Sequence, residues 1–187
     1  MLKEELRKKI LAKREIYPNW QEDSHKIINN FLLKLDLSNF KTFMLYYPHK
    51  KEVDTTVLIK KLLQERKTVV LPKVSGQDIK PTIIKELDNL IVGYAGIKEP
   101  VGFQINPKEI DLIVVPAVAY DKEGYRIGYG KGYYDRFLPK LRKDSLKIGF
   151  CYDFQLLEKV PHEPHDFRVD LIITPTQILK TKKEEVK

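Results

Sequence analysis

The sequence predicts an α/β fold, a three-layer α/β/α sandwich with a mainly parallel sheet in a single domain. Short apolar segments alternate with helical patterns from residue 42 onward, as strands joined by helical crossovers do. Two segments, 111–116 and 170–175, are continuous apolar runs that begin with an acid and end with a proline. Such runs indicate strands that are buried on both faces. The length of 187 residues suits one domain with a sizeable core.

The first 35 residues predict an N-terminal helical segment, and the last eight predict a frayed tail. Leu2, Leu6 and Ile10 lie at helical spacing at the start of the chain. A second helical pattern covers residues 21–35. Residues 180–187 are mostly charged, which favours an exposed terminus with little fixed structure.

The elements between these ends alternate as the fold class requires. Helices are predicted after a cap at Asp54 or Thr55 and near residues 133–141. Strands are predicted at residues 42–47, 68–71, 81–85, 111–116, 147–151 and 170–175. Ligands of such sheets bind beyond the carboxyl ends of the strands, and three polar segments are expected there: 49–54, 117–132 and 174–175.

The composition predicts a soluble protein and leaves its charge open to two interpretations. Hydrophobic residues make up 42% of the chain and charged residues 32%, as in globular domains. The apolar runs are too short to span a membrane and the basic N-terminus lacks an apolar leader, so we expect a cytoplasmic protein. The single cysteine, Cys151, excludes an internal disulfide. The net charge of +8 can attract RNA or phosphates, but Lys and Glu are intermixed, which favours a solvated surface.

The run at residues 126–135, Arg-Ile-Gly-Tyr-Gly-Lys-Gly-Tyr-Tyr-Asp, is the most informative feature of the sequence. Its alternating glycines allow several backbone N–H groups to converge on one anion, and Arg126 and Lys131 add positive charge. A helix that begins near Tyr133 would add its dipole. The run matches neither the Walker pattern nor the dinucleotide fingerprint. A tight turn would need only one or two glycines, so a phosphate site is favoured.

Several charged residues have both a structural and a functional interpretation. Asp135 can stabilise the start of a helix, or it can hold Mg²⁺ beside a phosphate, with Asp170 as a second carboxylate. Lys3 and Arg7 share one helix face, which can grip a phosphate but is more simply a solvated basic face. Glu52 lies in a polar connection, where most acids face water.

The remaining candidates for chemistry favour structural roles. Cys151 ends an apolar strand without a nucleophile motif, which is typical of a packed core thiol. The segment with His162, Glu163, His165 and Asp166 has the composition of a metal cluster. Two histidines do not complete a structural zinc site, so none is expected.

The run at residues 121–136 resembles the signature of the 5-formyltetrahydrofolate cyclo-ligases, also called methenyltetrahydrofolate synthetases. Four further segments are similar to blocks of that family in the same order: residues 3–7, 51–55, 98–100 and 161–174. The glycine-tyrosine run is specific, and the order of the blocks strengthens the resemblance across the chain.

This resemblance implies an enzyme that converts 5-formyltetrahydrofolate to 5,10-methenyltetrahydrofolate, using ATP and Mg²⁺ and releasing ADP and phosphate. In the family's scheme the formyl oxygen is phosphorylated and the folate's own amine at position 10 then displaces the phosphate. The implied catalytic cations are Arg126 and Lys131, and the implied metal ligands are Asp135 and Asp170. Tyr47 and Glu52 would contact the folate. The implied ATP contacts are Lys3, Arg7, Arg126, Ile127, Gly128, Tyr129, Gly130, Lys131, Gly132, Tyr133 and Tyr134.

Two other functions are compatible with the same residues. A phosphosugar-binding isomerase or transferase could use the glycine run without ATP, but it would need a general base, for which Glu52 is the only candidate nearby. A basic RNA-binding module could stack bases on Tyr129, Tyr133 and Tyr134. These tyrosines fall in a glycine loop and a helix start rather than on a sheet face. We therefore expect a monomeric enzyme that acts on a small molecule, without nucleic-acid or membrane partners.

Overall fold

A central sheet of seven strands organises the computed structural model of this chain, which describes residues 2–181. The helices are α1 (Lys3–Glu15), α2 (Trp20–Lys34), α3 (Thr56–Gln64) and α4 (Tyr133–Phe137). The strands, in chain order, are β1 (Thr42–Met44), β2 (Thr68–Ser75), β3 (Asp78–Ile84), β4 (Ile91–Val92), β5 (Lys98–Glu99), β6 (Leu112–Val115), β7 (Ala119–Asp121), β8 (Arg126–Ile127), β9 (Leu146–Phe150), β10 (Leu156–Leu157), β11 (Leu171–Ile173) and β12 (Ile178–Lys180).

The strand order of the central sheet is β12-β11-β9-β6-β1-β2-β3. The strands from β11 to β2 run parallel, and β12 and β3 join them antiparallel at the two edges. The predicted fold class, an α/β sandwich with a mainly parallel sheet, is therefore confirmed. The chain runs from β1 to β2 on one side of β1 and later returns to β6 on its other side. In an open α/β sheet, such a reversal opens a crevice beyond the carboxyl ends of the strands.

Both faces of the sheet are covered, which makes three layers. Because successive strand residues point to opposite faces, Phe43 packs on the side of α2 and α3 while Met44 packs on the side of α4. Phe31 of α2 and Leu58 of α3 are fully buried against the first face. Phe137 of α4 is buried against the second. These apolar layers hold the carboxyl ends of β1 and β6 in place.

A smaller sheet, formed by β10, β7 and β8, supports the N-terminal helix. Ile10 of α1 is buried in a separate apolar cluster with Val118, Ala119, Tyr125 and Ile127. The sequence predicts the helical pattern of α1 but not these short strands, because two or three residues are too few to show an alternating pattern. The cluster fixes α1 beside the run at residues 126–135.

Two proline positions account for differences from the predicted element boundaries. The strand predicted at 68–71 continues through Pro72 to Ser75, where Pro72 lies opposite Pro81 of β3. In an antiparallel ladder, hydrogen-bonded pairs alternate with non-hydrogen-bonded pairs. Two prolines that face each other in a non-hydrogen-bonded pair therefore cost the ladder no hydrogen bond. The helix predicted at 133–141 is only five residues long, and a 3₁₀ turn with Pro139 follows it. Pro139 has no N–H to continue the α-helical ladder.

The two ends of the chain agree with the prediction only in part. The N-terminal segment forms α1 and α2 as expected. Lys180, expected in a frayed tail, instead ends β12, and Thr181 N donates to Asp170 O at 3.1 Å. Residues 182–187 of the predicted tail lie outside the described residues. No helix in residues 2–181 is long and apolar enough to cross a membrane.

Asp121 fixes the hairpin of β7 and β8, on which Arg126 lies. Its side chain is fully buried and accepts hydrogen bonds from the N–H groups of Glu123, Tyr125 and Val160, at 3.0–3.1 Å. The carboxylate therefore joins the hairpin turn to the segment that follows β10.

We expect Asp121→Ala to lower the free energy of unfolding by about 3 kcal/mol or more, since three backbone donors lose their acceptor. Urea unfolding followed by circular dichroism measures the change. Glu158→Ala is the matched control: Glu158 is exposed and, among residues 2–181, pairs only with Lys122, so a loss below about 1 kcal/mol is expected. Equal losses in both variants would contradict a structural role for Asp121.

Candidate active site

A large cavity lies beyond the carboxyl ends of β1, β2 and β6, where the strand order reverses. Its volume is about 1040 Å³, at the upper end of the range for small-molecule pockets. Residues 126–135 and the connection after β1 form two of its walls, and α1 covers a third side. Two of the segments expected at this edge, 49–54 and 117–132, therefore contribute to one site. The third, 174–175, does not line the cavity; Thr174 O and Pro175 O accept from Asn30 Nδ2 of α2 instead.

The cavity wall carries more positive than negative charge. Its lysines and arginines are Lys3, Arg7, Lys8, Arg14, Lys50, Lys51, Lys98, Arg126 and Lys131. Its carboxylates are Glu15, Glu52, Glu99, Asp135 and Asp166. A concave surface with this balance concentrates anions. The basic composition of the chain is thus not confined to a solvated surface.

The glycine loop, residues 128–132, has the geometry of an anion cradle. Gly130 and Gly132 have φ values of 98° and 72°, in the left-handed region that disfavours other residues. No backbone N–H of residues 128–132 donates a hydrogen bond to another residue of the described chain. The loop is therefore a tight turn, and its N–H groups are without hydrogen-bond partners among the described residues. Because α4 is short, these donors matter more than a helix dipole.

Arg126 lies under the glycine loop with an unused hydrogen-bond donor. Its side chain is only 7% exposed. Nη1 donates to Pro116 O at 3.3 Å, and Nη2 contacts Asp135 Oδ1 at 3.1 Å. Its Nε is buried without a hydrogen-bond partner among the described residues. A buried cation with a spare donor is expected where an anionic ligand completes the site.

Helix α1 brings further cations to the same loop. Arg7 Nε donates to Gly128 O at 2.8 Å. Lys3 Nζ lies 3.9 Å from Asp166 Oδ2 at the cavity edge. The two residues share one face of α1, as predicted, and that face lines the cavity. The phosphate interpretation of Lys3 and Arg7 thus gains support over that of a solvated face.

A hydrogen-bonded chain links α1, the glycine loop and the connection after β1. Arg14 Nη1 donates to the Tyr129 hydroxyl oxygen at 2.6 Å, and this hydroxyl donates to Glu52 Oε2 at 3.0 Å. Glu52 Oε1 accepts from His49 N at 2.8 Å. Glu52 is therefore held at both oxygens beside the cavity, rather than simply facing water.

Aromatic side chains form the remaining walls. The rings of Tyr94 and Tyr133 meet edge to face, with centroids 5.6 Å apart. Lys98 Nζ lies 5.4 Å from the centroid of the Tyr47 ring. The cavity thus combines an anion cradle with an aromatic region that suits a flat heterocycle.

Residues 1–175 match the 5-formyltetrahydrofolate cyclo-ligase family. The chain belongs to this family. A 5-formyltetrahydrofolate cyclo-ligase of Mycoplasma pneumoniae is 33% identical over 92% of this chain and 98% of its own length. One of Escherichia coli is 31% identical over 68% of this chain and 74% of its own. Such membership identifies the chain as an enzyme of the cyclo-ligase class.

A solved structure supports the same conclusion. The NMR structure of the 5,10-methenyltetrahydrofolate synthetase of Aquifex aeolicus is similar with a TM-score of 0.88 and 40% identity. The similarity covers 100% of this chain and 96% of the Aquifex chain. The family resemblance drawn from the sequence is therefore confirmed, and the cavity described above is the candidate cyclo-ligase active site.

Most of the predicted site residues of this cyclo-ligase lie together in the cavity. They are Lys3, Arg7, Tyr47, Glu52, Arg126, Gly128, Tyr129, Gly130, Lys131, Gly132, Tyr133, Tyr134 and Asp135. Ile127 does not reach it: the side chain is 1% exposed and packs in the core between α1 and the small sheet. Alternation along β8 places Arg126 toward the cavity and Ile127 away from it.

The structure does not place Asp170 among the residues that line the cavity with Asp135. Asp170 precedes β11, at the amino end of the strand, and its Oδ2 accepts from Lys147 N at 2.9 Å. Asp111 has the same role before β6, where its Oδ2 accepts from Lys41 N and Thr42 N. Both acids anchor the start of a buried strand, which explains why the two sequence segments are similar. Asp170 does not line the cavity, and its role as a metal ligand stays a prediction.

Asp166 is the carboxylate that the structure places at the cavity instead. Asp135 and Asp166 both line it, with side chains 64% and 29% exposed. Within residues 2–181 no three His, Cys, Asp or Glu residues are grouped as in a protein-only metal site. His162 stacks on Tyr125, with ring centroids 3.5 Å apart.

Arg14 is a site residue that the sequence reasoning missed. It lies seven residues after Arg7, close to two helical turns, so both side chains project from one face of α1. The seven-residue spacing from Arg7 is the feature of the sequence that points to Arg14 as a cavity residue. Arginines near a helix C-terminus commonly stabilise the helix dipole. The spacing alone therefore does not distinguish a buried arginine from one of these.

Burial raises the pKa of Glu52 above its ordinary value, although His49 N–H, Arg14 and Tyr129 act in the opposite direction. We therefore expect Glu52 to lose its charge at a higher pH than an unperturbed glutamate. Carbon-13 NMR of labelled glutamate carboxyls measures the titration midpoint, and Glu52→Gln assigns the resonance.

The same shift predicts a pH dependence of stability. Because the folded-state pKa is the higher one, the contribution of Glu52 to the free energy of unfolding falls as pH rises between the unfolded-state and folded-state values. Glu52→Gln should remove this decline. A midpoint at or below that of an unperturbed glutamate would contradict the effect of burial.

Proposed function

We propose that this cyclo-ligase converts 5-formyltetrahydrofolate to 5,10-methenyltetrahydrofolate with consumption of ATP, dependence on Mg²⁺ and release of ADP and phosphate. The observation that carries the ATP part is the anion cradle: free N–H groups of residues 128–132 above the buried Arg126, whose Nε has no partner among the described residues. The names of the relatives support the folate part. A sugar phosphate or an RNA would not account for this family membership.

The chemistry needs activation rather than a protein nucleophile. A formamide oxygen is a poor leaving group, so the formyl oxygen first takes the terminal phosphoryl group of ATP, and ADP leaves. The amine at position 10 then attacks the formyl carbon and gives up its proton, and the carbon–oxygen bond breaks with loss of phosphate. Cys151 takes no part, because it is fully buried and burial raises the pKa of its thiol. Positioning and charge neutralisation remain as the tasks of the protein.

The cradle and α1 supply the charges for the triphosphate. Lys3 and Arg7 approach from α1, and Arg126 and Lys131 from the glycine run. Arg126 is held by Pro116 O and Asp135, so its position is set before a ligand arrives. Preorganised donors of this kind stabilise a transition state without reorganising during the reaction.

The carboxylates at the cavity fit Mg²⁺ rather than a metal bound by protein alone. Mg²⁺ prefers one or two carboxylates, with phosphate oxygens and waters as its other ligands. Asp135 and Asp166 offer such a pair in the same cavity as the anion cradle. When bound, the ion would neutralise negative charge on phosphate oxygens. Asp170 is not part of this proposal, because its carboxylate caps the start of β11.

The aromatic side of the cavity is the proposed place of the folate. Tyr47 and Tyr133 offer ring surfaces, and Glu52 offers a carboxylate that can accept hydrogen bonds from a reduced pterin. Glu52 adjoins the glycine loop through the Tyr129 hydroxyl. The formyl group can therefore lie near the phosphate cradle while the ring system contacts the aromatic walls.

The test is the absorbance of methenyltetrahydrofolate formed by purified protein with 5-formyltetrahydrofolate, Mg²⁺ and ATP. We expect a rise that requires both ATP and Mg²⁺ and that is matched by release of phosphate. Omission of ATP is the control. A flat trace from folded protein would reject the proposed function and favour an ATP-independent phosphate ligand.

The carboxylates make a second prediction. Asp135→Asn and Asp166→Asn should raise the Mg²⁺ concentration needed for half-maximal turnover about tenfold or more, since each removes a charged ligand. Asp170→Asn is the matched control and should leave this concentration within about twofold. Rates measured across a Mg²⁺ titration show which of the three variants needs more Mg²⁺. An effect in the Asp135 and Asp170 variants but not in the Asp166 variant would support the assignment made from the sequence.

A further inference from the structure

We propose that Arg14 is a positioning residue for substrate recognition: through the Tyr129 hydroxyl it fixes the Glu52 carboxylate that faces the folate region of the cavity. The inference rests on the proposed function, in which Glu52 contacts the folate. It adds a role for the last turn of α1, which none of the predicted contacts includes.

The geometry of the hydrogen-bonded chain supports this role. Arg14 has no acceptor group to offer, so at 2.6 Å it must donate to the Tyr129 oxygen. The Tyr129 proton is then directed to Glu52 Oε2, 3.0 Å away. The second oxygen of Glu52 is fixed by His49 N. The carboxylate plane is thus set by two donors, one of which depends on Arg14.

The burial of Arg14 indicates a role beyond stabilising the C-terminal end of α1. The residue is 5% exposed, although arginine at the end of a helix can usually remain in water. Within the described residues its side chain makes no ion pair at 4.0 Å or less, and its hydrogen-bond partner is the Tyr129 hydroxyl. The Glu52 charge beyond that hydroxyl is the anion that compensates the buried guanidinium. Burying an arginine in this way is costly unless the chain as a whole is satisfied.

The titratable groups around Glu52 support the same role for Arg14. The titratable groups that act on Glu52, or on which Glu52 acts, are Arg14 on α1, Tyr46 after β1, Tyr129 and Tyr134 in the 126–135 run, and Tyr152 after β9. Arg14 is the cation of this set. Burial raises the pKa of Glu52, and Arg14 opposes the rise. Loss of Arg14 should therefore leave a carboxylate that is both less ordered and more easily protonated.

The experiment uses Arg14→Met, which keeps an unbranched apolar stem, with Lys13→Met as the matched control. Lys13 is exposed on the same helix turn and does not line the cavity. We expect Arg14→Met to raise the KM for 5-formyltetrahydrofolate about tenfold, the effect of losing a hydrogen bond to a charged group. The KM for ATP should change by less than about twofold. Lys13→Met should change neither.

Two further measurements separate positioning from a merely structural effect. The acid limb of kcat/KM should move to higher pH in Arg14→Met, by about one pH unit. Arg14→Lys, which keeps the charge, should restore part of this shift. Tyr129→Phe removes the intermediate hydroxyl, so the double variant with Arg14→Met should be no worse than the more impaired single variant.

NMR of the ligand-free protein tests the link without turnover. The Glu52 carboxyl should titrate at higher pH in Arg14→Met than in the wild type. An unchanged titration, an unchanged KM for the folate or additive effects in the double variant would overturn the proposal. If Arg14→Met does not fold, Tyr129→Phe and Arg14→Lys give the same comparisons. A wild-type protein without turnover would reject the proposed function, while the NMR result would still judge the link between Arg14 and Glu52.

Discussion

The buried guanidinium of Arg126 is the constraint around which the site is arranged. A cation that is 7% exposed is unfavourable unless its N–H groups and charge are matched. Pro116 O and Asp135 accept hydrogen bonds from the guanidinium, whereas Nε has no partner among the described residues. Because the apolar core and the buried Asp121 hold the β7–β8 hairpin rigid, Arg126 cannot easily leave for solvent. The stability of the fold thus maintains a charge that only an anionic ligand fully satisfies.

The reversal of strand order at β1 explains why ligands of different character can share one cavity. Connections after β1 and β6 diverge there, so the aromatic residues following β1 lie opposite the glycine loop that follows β8. Helix α1, packed through Ile10, closes the side between them. Tyr129 touches both regions, since its backbone belongs to the cradle and its hydroxyl belongs to the chain that holds Glu52. In the proposed function, Tyr129 therefore connects the phosphate region with the folate region.

Sequence reasoning succeeded where a local pattern has one physical meaning. The helical pattern at 21–35 becomes α2 at Trp20–Lys34, and the glycine run becomes a loop with left-handed residues and free donors. A local pattern is less informative where the meaning depends on strand direction. Asp170 and Asp166 are both acids near β11, but only the three-dimensional path shows that Asp170 caps the amino end while Asp166 reaches the cavity. Arg14 was missed because its partners lie 38 and 115 positions away along the chain.

The proposed reaction needs no nucleophilic side chain from the protein. In the proposed reaction, phosphorylation of the formyl oxygen places the reactive bonds within the two substrates, so a protein nucleophile would add a step without lowering a barrier. What the protein must contribute is a fixed arrangement of charge, and such an arrangement is stable only if each buried ion has partners. The chain from Arg14 through Tyr129 to Glu52 and the contacts of Arg126 are two solutions to that requirement. The chain from Arg14 to Glu52 is satisfied by protein groups, whereas the contacts of Arg126 need a ligand to complete them.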